Sequence, residues 1–147
     1  MRVTIRLETD RYATESAATL TPMAHATLAD SALDAGERRT LDAFVQLLTE
    51  RTRIPVRSIW LYGSRARGER SSPDSDIDLL IVLDAYDPAT DSRIQRLLFE
   101  AAELSGGNPI AFSVRVWDRA RIDHEREIGS FFIQEVDCEK VVIAGPP

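Results

Sequence analysis

The chain has 147 residues, of which 44% are hydrophobic and 29% charged, and its formal net charge is −6. That length suits one domain with a real core, and the balance excludes a disordered or a fibrous chain. The negative charge argues against a general duplex-DNA binder, whose affinity comes largely from neutralised phosphates.

Residues 1–7 alternate, with Val3, Ile5 and Leu7 on one side, which predicts a short strand. Residues 9–27 are rich in Ala, Thr and Ser without a period and read as a loosely ordered arm. Residues 1–33 are therefore set apart from a compact domain over 34–147. A helix is expected from Asp34, because Asp34 and Glu37 have capping-box spacing and Leu41, Phe44, Val45 and Leu48 share one face. Pro55 closes that region, and the apolar, β-prone residues 56–62 predict a strand that ends at Gly63. Residues 77–83 form a nearly continuous apolar run, as expected of an interior strand.

A second helix is expected over 91–105, with Asp91 or Ser92 as cap and Gly106-Gly107 as the stop. Pro109 then leads into a strand at 110–117, and Asp118 caps a polar helix to Glu127. A shorter helix at 131–136 and a closing strand at 141–143 complete the chain. Trp60 is expected in the core, and Trp117 either there, against a partner or stacked on a base. His124, among charged neighbours, reads as solvated. The single cysteine, Cys138, excludes an intrachain disulfide and reads as a small buried hydrophobe in a reducing compartment. No charged-then-apolar leader and no apolar run of about 20 residues is present, so a cytoplasmic protein without membrane contact is expected. The order of elements predicts an α/β (α+β) fold, a mixed sheet with helices mainly on one face and the other left open for a ligand.

The chemistry concentrates between the two predicted central strands. Gly63-Ser64 stands where a strand ends and a turn or short helix begins, so backbone N–H groups and the Ser64 hydroxyl can meet phosphate oxygens. Arg65 and Arg67 bring positive charge to the same turn, and either could contact a β- or γ-phosphate. Asp76 and Asp78 are spaced to leave one face of a strand, while Ile77 and Leu79 enter the core. Adjacent carboxylates repel unless a cation lies between them, and Mg²⁺ takes hard oxygen ligands while leaving positions for phosphates.

The run Leu61-Tyr62-Gly63-Ser64-Arg65-Ala66-Arg67-Gly68, a polar spacer with Pro73, and Ser75-Asp76-Ile77-Asp78-Leu79-Leu80 resemble the signature of the minimal nucleotidyltransferases of the polymerase-β superfamily. The resemblance implies a nucleotidyltransferase fold, ATP or another NTP as donor, Mg²⁺ (or Mn²⁺) at Asp76 and Asp78, and phosphate contacts at Gly63 and Ser64. It also implies an antitoxin-like role beside a helical HEPN-type toxin, with AMP transferred to a partner's hydroxyl. Such proteins carry a third carboxylate on a later strand, and there the sequence departs from the pattern. Ser113 stands where that acid is expected, with Arg115 on the same face and able to pair with Asp76 or Asp78. Asp118 is either a substitute acid or the cap of the next helix. The alternative is thus an impaired nucleotidyltransferase fold that neutralises a partner by binding it.

Overall fold

The computed structural model describes residues 27–69, 72 and 74–147, so the strand expected at 1–7 and most of the arm lie outside the described residues. The helix α1, Ala35–Glu50, begins as its capping box requires. Glu37 N donates to Asp34 Oδ1 and Asp34 N to Glu37 Oε2, both at 2.8 Å, which satisfies two helix-end donors reciprocally. Next come β1, Val56–Tyr62, a short helix α2, Gly63–Ala66, and β2, Ile77–Leu83. Both strands have the expected bounds.

The helix α3, Pro88–Ser105, starts one turn earlier than expected. Its cap is Asp87, whose side chain accepts from Ala89 N, and Pro88 fills the first position, where a missing N–H costs nothing. It ends at Gly106, whose φ of 70° is the left-handed stop. The strand β3 is Phe112–Asp118 rather than 110–117, because Pro109–Ala111 winds into a 3₁₀ turn capped by Asn108. Then follow α4, Arg119–Glu127, capped by Asp118, α5, Phe131–Glu139, and β4, Val141–Ala144. The last helix runs one turn past its expected end.

The sheet order is β3-β2-β1-β4. β1 lies antiparallel to β2 and to β4, whereas β2 and β3 are parallel. A parallel neighbour requires a crossover, which α3 supplies. The sheet is mixed, as expected.

Alternation along the strands sends side chains to two cores. Ile59, Leu61, Ile77, Leu79 and Ile81 pack with Leu41, Phe44 and Leu48 of α1 and Ile94 and Leu98 of α3. Leu28 and Leu33, from the stretch assigned to the arm, join the same core. On the other face Trp60, Tyr62, Leu80, Val82 and Trp117 meet Ile122 of α4 and Ile133 and Val136 of α5. The two long helices thus hold one face, but the second is not bare along its length. Cover on both sides is why β2 reads as an apolar run interrupted by Asp78. Trp117 is edge-on to Phe132 at 5.1 Å with the Arg121 guanidinium 4.3 Å above it, which places it in the core. Cys138 is exposed on α5, contrary to expectation, because Ile133 and Val136 supply that helix's buried face. Among the described residues no helix is long and apolar enough to cross a membrane.

Candidate nucleotide and metal site

Because β1 and β2 are antiparallel, their connection returns to the point it left. Tyr62, at the end of β1, is paired with Asp78, near the start of β2. Gly63 therefore sits against the Asp78 side chain. Its φ is +75°, and a Cβ at that position would lie 2.9 Å from Asp78 Oδ2. Only a residue without a side chain fits both the backbone and the carboxylate. Gly63→Ala is expected to cost about 2 kcal/mol, a left-handed alanine plus a displaced Asp78, as read by urea unfolding. An unchanged midpoint would mean that the turn is looser than its geometry.

Asp78 is half-buried and Asp76 is exposed at the last loop position before β2. Burial raises the Asp78 carboxyl above the ordinary carboxylate range, and the Asp76 charge raises it further. The Arg115 guanidinium opposes this, Glu139 adds to the repulsion, and the Ser113 hydroxyl favours the charged form. An ionised Asp78 thus carries a cost that a cation would relieve.

The parallel register sets Ser113 directly beside Asp78, as the spacing predicts for the third position. Arg115 lies on the same face, its guanidinium beside the Tyr62 hydroxyl and 4.9 Å from the centre of the Phe132 ring. Asp118 is paired with Leu83 at the far end of β2, and its carboxylate accepts from Arg121 N at 2.8 Å. It is the helix cap and not a substitute acid. Among the described residues no three acid, His or Cys side chains gather tightly enough to hold a metal. The pair Asp76 and Asp78 still fits Mg²⁺, which is commonly held by one or two carboxylates plus substrate phosphates.

The two arginines of the turn part company. Arg65 is 1% exposed, and its guanidinium donates to Ala32 O at 2.6 Å, to Ser75 Oγ at 3.0 Å and to both Glu37 oxygens at 3.1 and 3.2 Å. Its donors are turned into the protein, so Arg65 ties the motif loop to α1 instead of reaching a phosphate. Arg67 stays at the surface, paired with Glu69 and with Glu139.

Glu139 is the site residue that the sequence reading missed. Its Oε1 accepts from Gly63 N at 2.8 Å, and its Oε2 takes Arg67. The carboxylate arrives from the end of α5, 76 positions along the chain, and nothing local in the sequence announces it. Glu37 was legible as a cap, but its second role as the partner of Arg65 was not.

The strand–turn–strand unit thus places a glycine turn against the Asp78 carboxylate, with Asp76 two positions before it. The sequence matches the family model for the nucleotidyltransferase domain over residues 41–137. The chain belongs to that family. No curated protein matches the sequence. Among solved structures it is similar to a mutant toxin–antitoxin complex, MntA–HpeT, at 17% identity. That alignment covers 71% of this chain and 73% of the other, with a TM-score of 0.45. Glu37 and Glu139 both fall outside the stretch that the family model matches.

Proposed function

We propose that the protein is a Mg²⁺-dependent nucleotidyltransferase that moves a nucleoside monophosphate, AMP from ATP, to a hydroxyl on a partner protein. The observation that carries the reading is the close approach of Asp78 to Gly63, where a Cβ would lie 2.9 Å from Asp78 Oδ2, so that the Gly-Ser turn and a carboxylate of the Asp-x-Asp motif meet. Asp76 and Asp78 would hold the metal, which supplies neutralising charge on the polyphosphate and polarises the reacting phosphorus. Ser64 offers its hydroxyl to phosphate oxygens, and Arg67 stands at the rim as the surface cation of the turn. The acceptor hydroxyl oxygen forms a bond to the α-phosphorus and gives up its proton to solvent, while the bond from that phosphorus to the oxygen bridging the α- and β-phosphates breaks and pyrophosphate departs with that electron pair.

A protein acceptor suits the surroundings better than a polynucleotide. Ile110 is 80% exposed and lines a depression of about 220 Å³ together with Asp76, and the chain's net charge is −6. An apolar side chain beside an acidic pair offers little to a phosphate backbone and something to a protein surface. A HEPN-type helical toxin as that partner, and a cytoplasmic setting, rest on the resemblance of the motif. Ser113 beside Asp78 favours a second reading, in which the site binds Mg-ATP without turning over and the protein acts by occupying its partner.

Calorimetric titration of Mg-ATP into the protein tests the shared premise. Binding that disappears when EDTA replaces the metal is expected. No heat at millimolar nucleotide would sink the reading for the isolated chain.

A further inference from the structure

Gly63, which packs against Asp78, and the Arg67 guanidinium of the same turn are held by one side chain. The Glu139 carboxylate accepts from Gly63 N at 2.8 Å through one oxygen and from Arg67 through the other. Its own place is set by rigid elements. Glu139 ends α5, Lys140 N donates to Val136 O at 2.9 Å, and Val141 is already paired with Leu61 of β1. The side chain of Glu139 is 17% exposed and that of Arg67 is 43% exposed, so the inner partner is the fixed one. An acceptor anchored in this way holds a turn still, because moving it would mean breaking the β1–β4 pairing.

From this geometry we infer that Glu139 is the positioning residue of the Gly-Ser turn, fixing Gly63-Ser64 for the reaction proposed above, on which the inference rests. Both of its oxygens already accept from donors of the turn, so the role its contacts show is positioning. Removing Glu139 would leave Gly63 N–H without an acceptor and free the turn to drift from Asp78. A displacement of about 1 Å in a supporting group commonly costs a site much of its function. Glutamine preserves the oxygen that faces Gly63 but turns an NH2 donor toward Arg67, so the Arg67 hydrogen bond is lost together with the charge. Alanine loses both.

The test combines Mg-ATP calorimetry with amide hydrogen exchange at Gly63 in wild type, Glu139→Gln and Glu139→Ala, each with a measured melting temperature. In Glu139→Ala we expect Mg-ATP affinity to fall about 10–100-fold, the range for lost supporting partners, and Gly63 exchange to accelerate. In Glu139→Gln, affinity within about threefold of wild type and slow Gly63 exchange are expected, since the conserved oxygen does the positioning. Unchanged or tighter binding in Glu139→Ala would overturn the inference, because the carboxylate would then be idle or a competitor of phosphate. Equal losses in the two variants would also overturn it, since the Arg67 pair and not the Gly63 contact would be at work. The two failures read differently. Wild type that binds no Mg-ATP overturns the nucleotide reading and this inference with it, whereas wild-type binding that survives Glu139→Ala overturns this inference alone.

Discussion

Asp76→Asn/Asp78→Asn is expected to lose Mg-ATP binding in calorimetry, with affinity down at least ~100-fold, and yet to melt higher than wild type at pH 7. The first effect follows from removing the hard, charged oxygens that the metal needs. The second follows from the strain on Asp78, whose carboxyl is raised from its ordinary value of 3.8 by burial and by Asp76. A carboxyl raised by folding binds its proton more tightly in the native state than in the unfolded chain. Its contribution to stability is therefore complete below the unfolded value and is lost as pH rises through the folded one. At pH 7 wild type carries that loss and the asparagine variant does not. At pH 3 the Asp78 side chain is as uncharged as the asparagine that replaces it, and this part of the difference in melting temperature should close. A variant that melts lower at pH 7 would mean that Asp78 is held by partners stronger than Ser113 and Arg115. Saturating Mg-ATP should raise the melting temperature of wild type and leave that of the variant unmoved.

Arg65→Ala is the largest stability effect to expect, a loss of about 3–5 kcal/mol in urea unfolding. The guanidinium is fully buried and joins three separate pieces of chain, namely Ala32, Glu37 on α1 and Ser75 ahead of β2. Removing it takes away a buried ion pair to Glu37 at 3.1 Å and the 2.6 Å donor of the Ala32 carbonyl. Lysine should recover little, because an ammonium cannot span the fork that reaches both Glu37 oxygens and Ser75. Arg67→Ala should change stability by less than about 1 kcal/mol, since the guanidinium lies at the surface and its pair with Glu69 is exposed on both sides. If the two alanine variants unfold at the same midpoint, the division of labour between the arginines is wrong.

That division separates what a sequence can carry from what it cannot. The limits of β1 and β2 are local facts, because β-prone runs stop at Gly63 and start after Asp76, and both strands fall on the expected residues. The capping box of α1 is equally local, its two partners being three residues apart. Where a stronger local signal was passed over, the element moved. Asp87-Pro88 starts α3, not Asp91, and Pro109 winds a 3₁₀ turn that delays β3. The Gly-Ser turn and the Asp-x-Asp pair could be read together, since an antiparallel return is the simplest way to join two neighbouring strands.

The sequence by itself determined the mixed sheet's central strands, the family and the association of a Gly-Ser turn with the Asp-x-Asp pair. Periodicity and short motifs depend on neighbours along the chain, so they survive without coordinates. Only the tertiary structure decided which arginine is buried, what covers the second face, and that Asp118 is a cap lying at the far end of β3 from Ser113. Glu139 belongs to the same group, because its bond to Gly63 spans 76 positions and exists once β4 has paired with β1. Direction and burial of a charged side chain are set by whatever partners the folded chain brings within hydrogen-bond reach, and that information is not local.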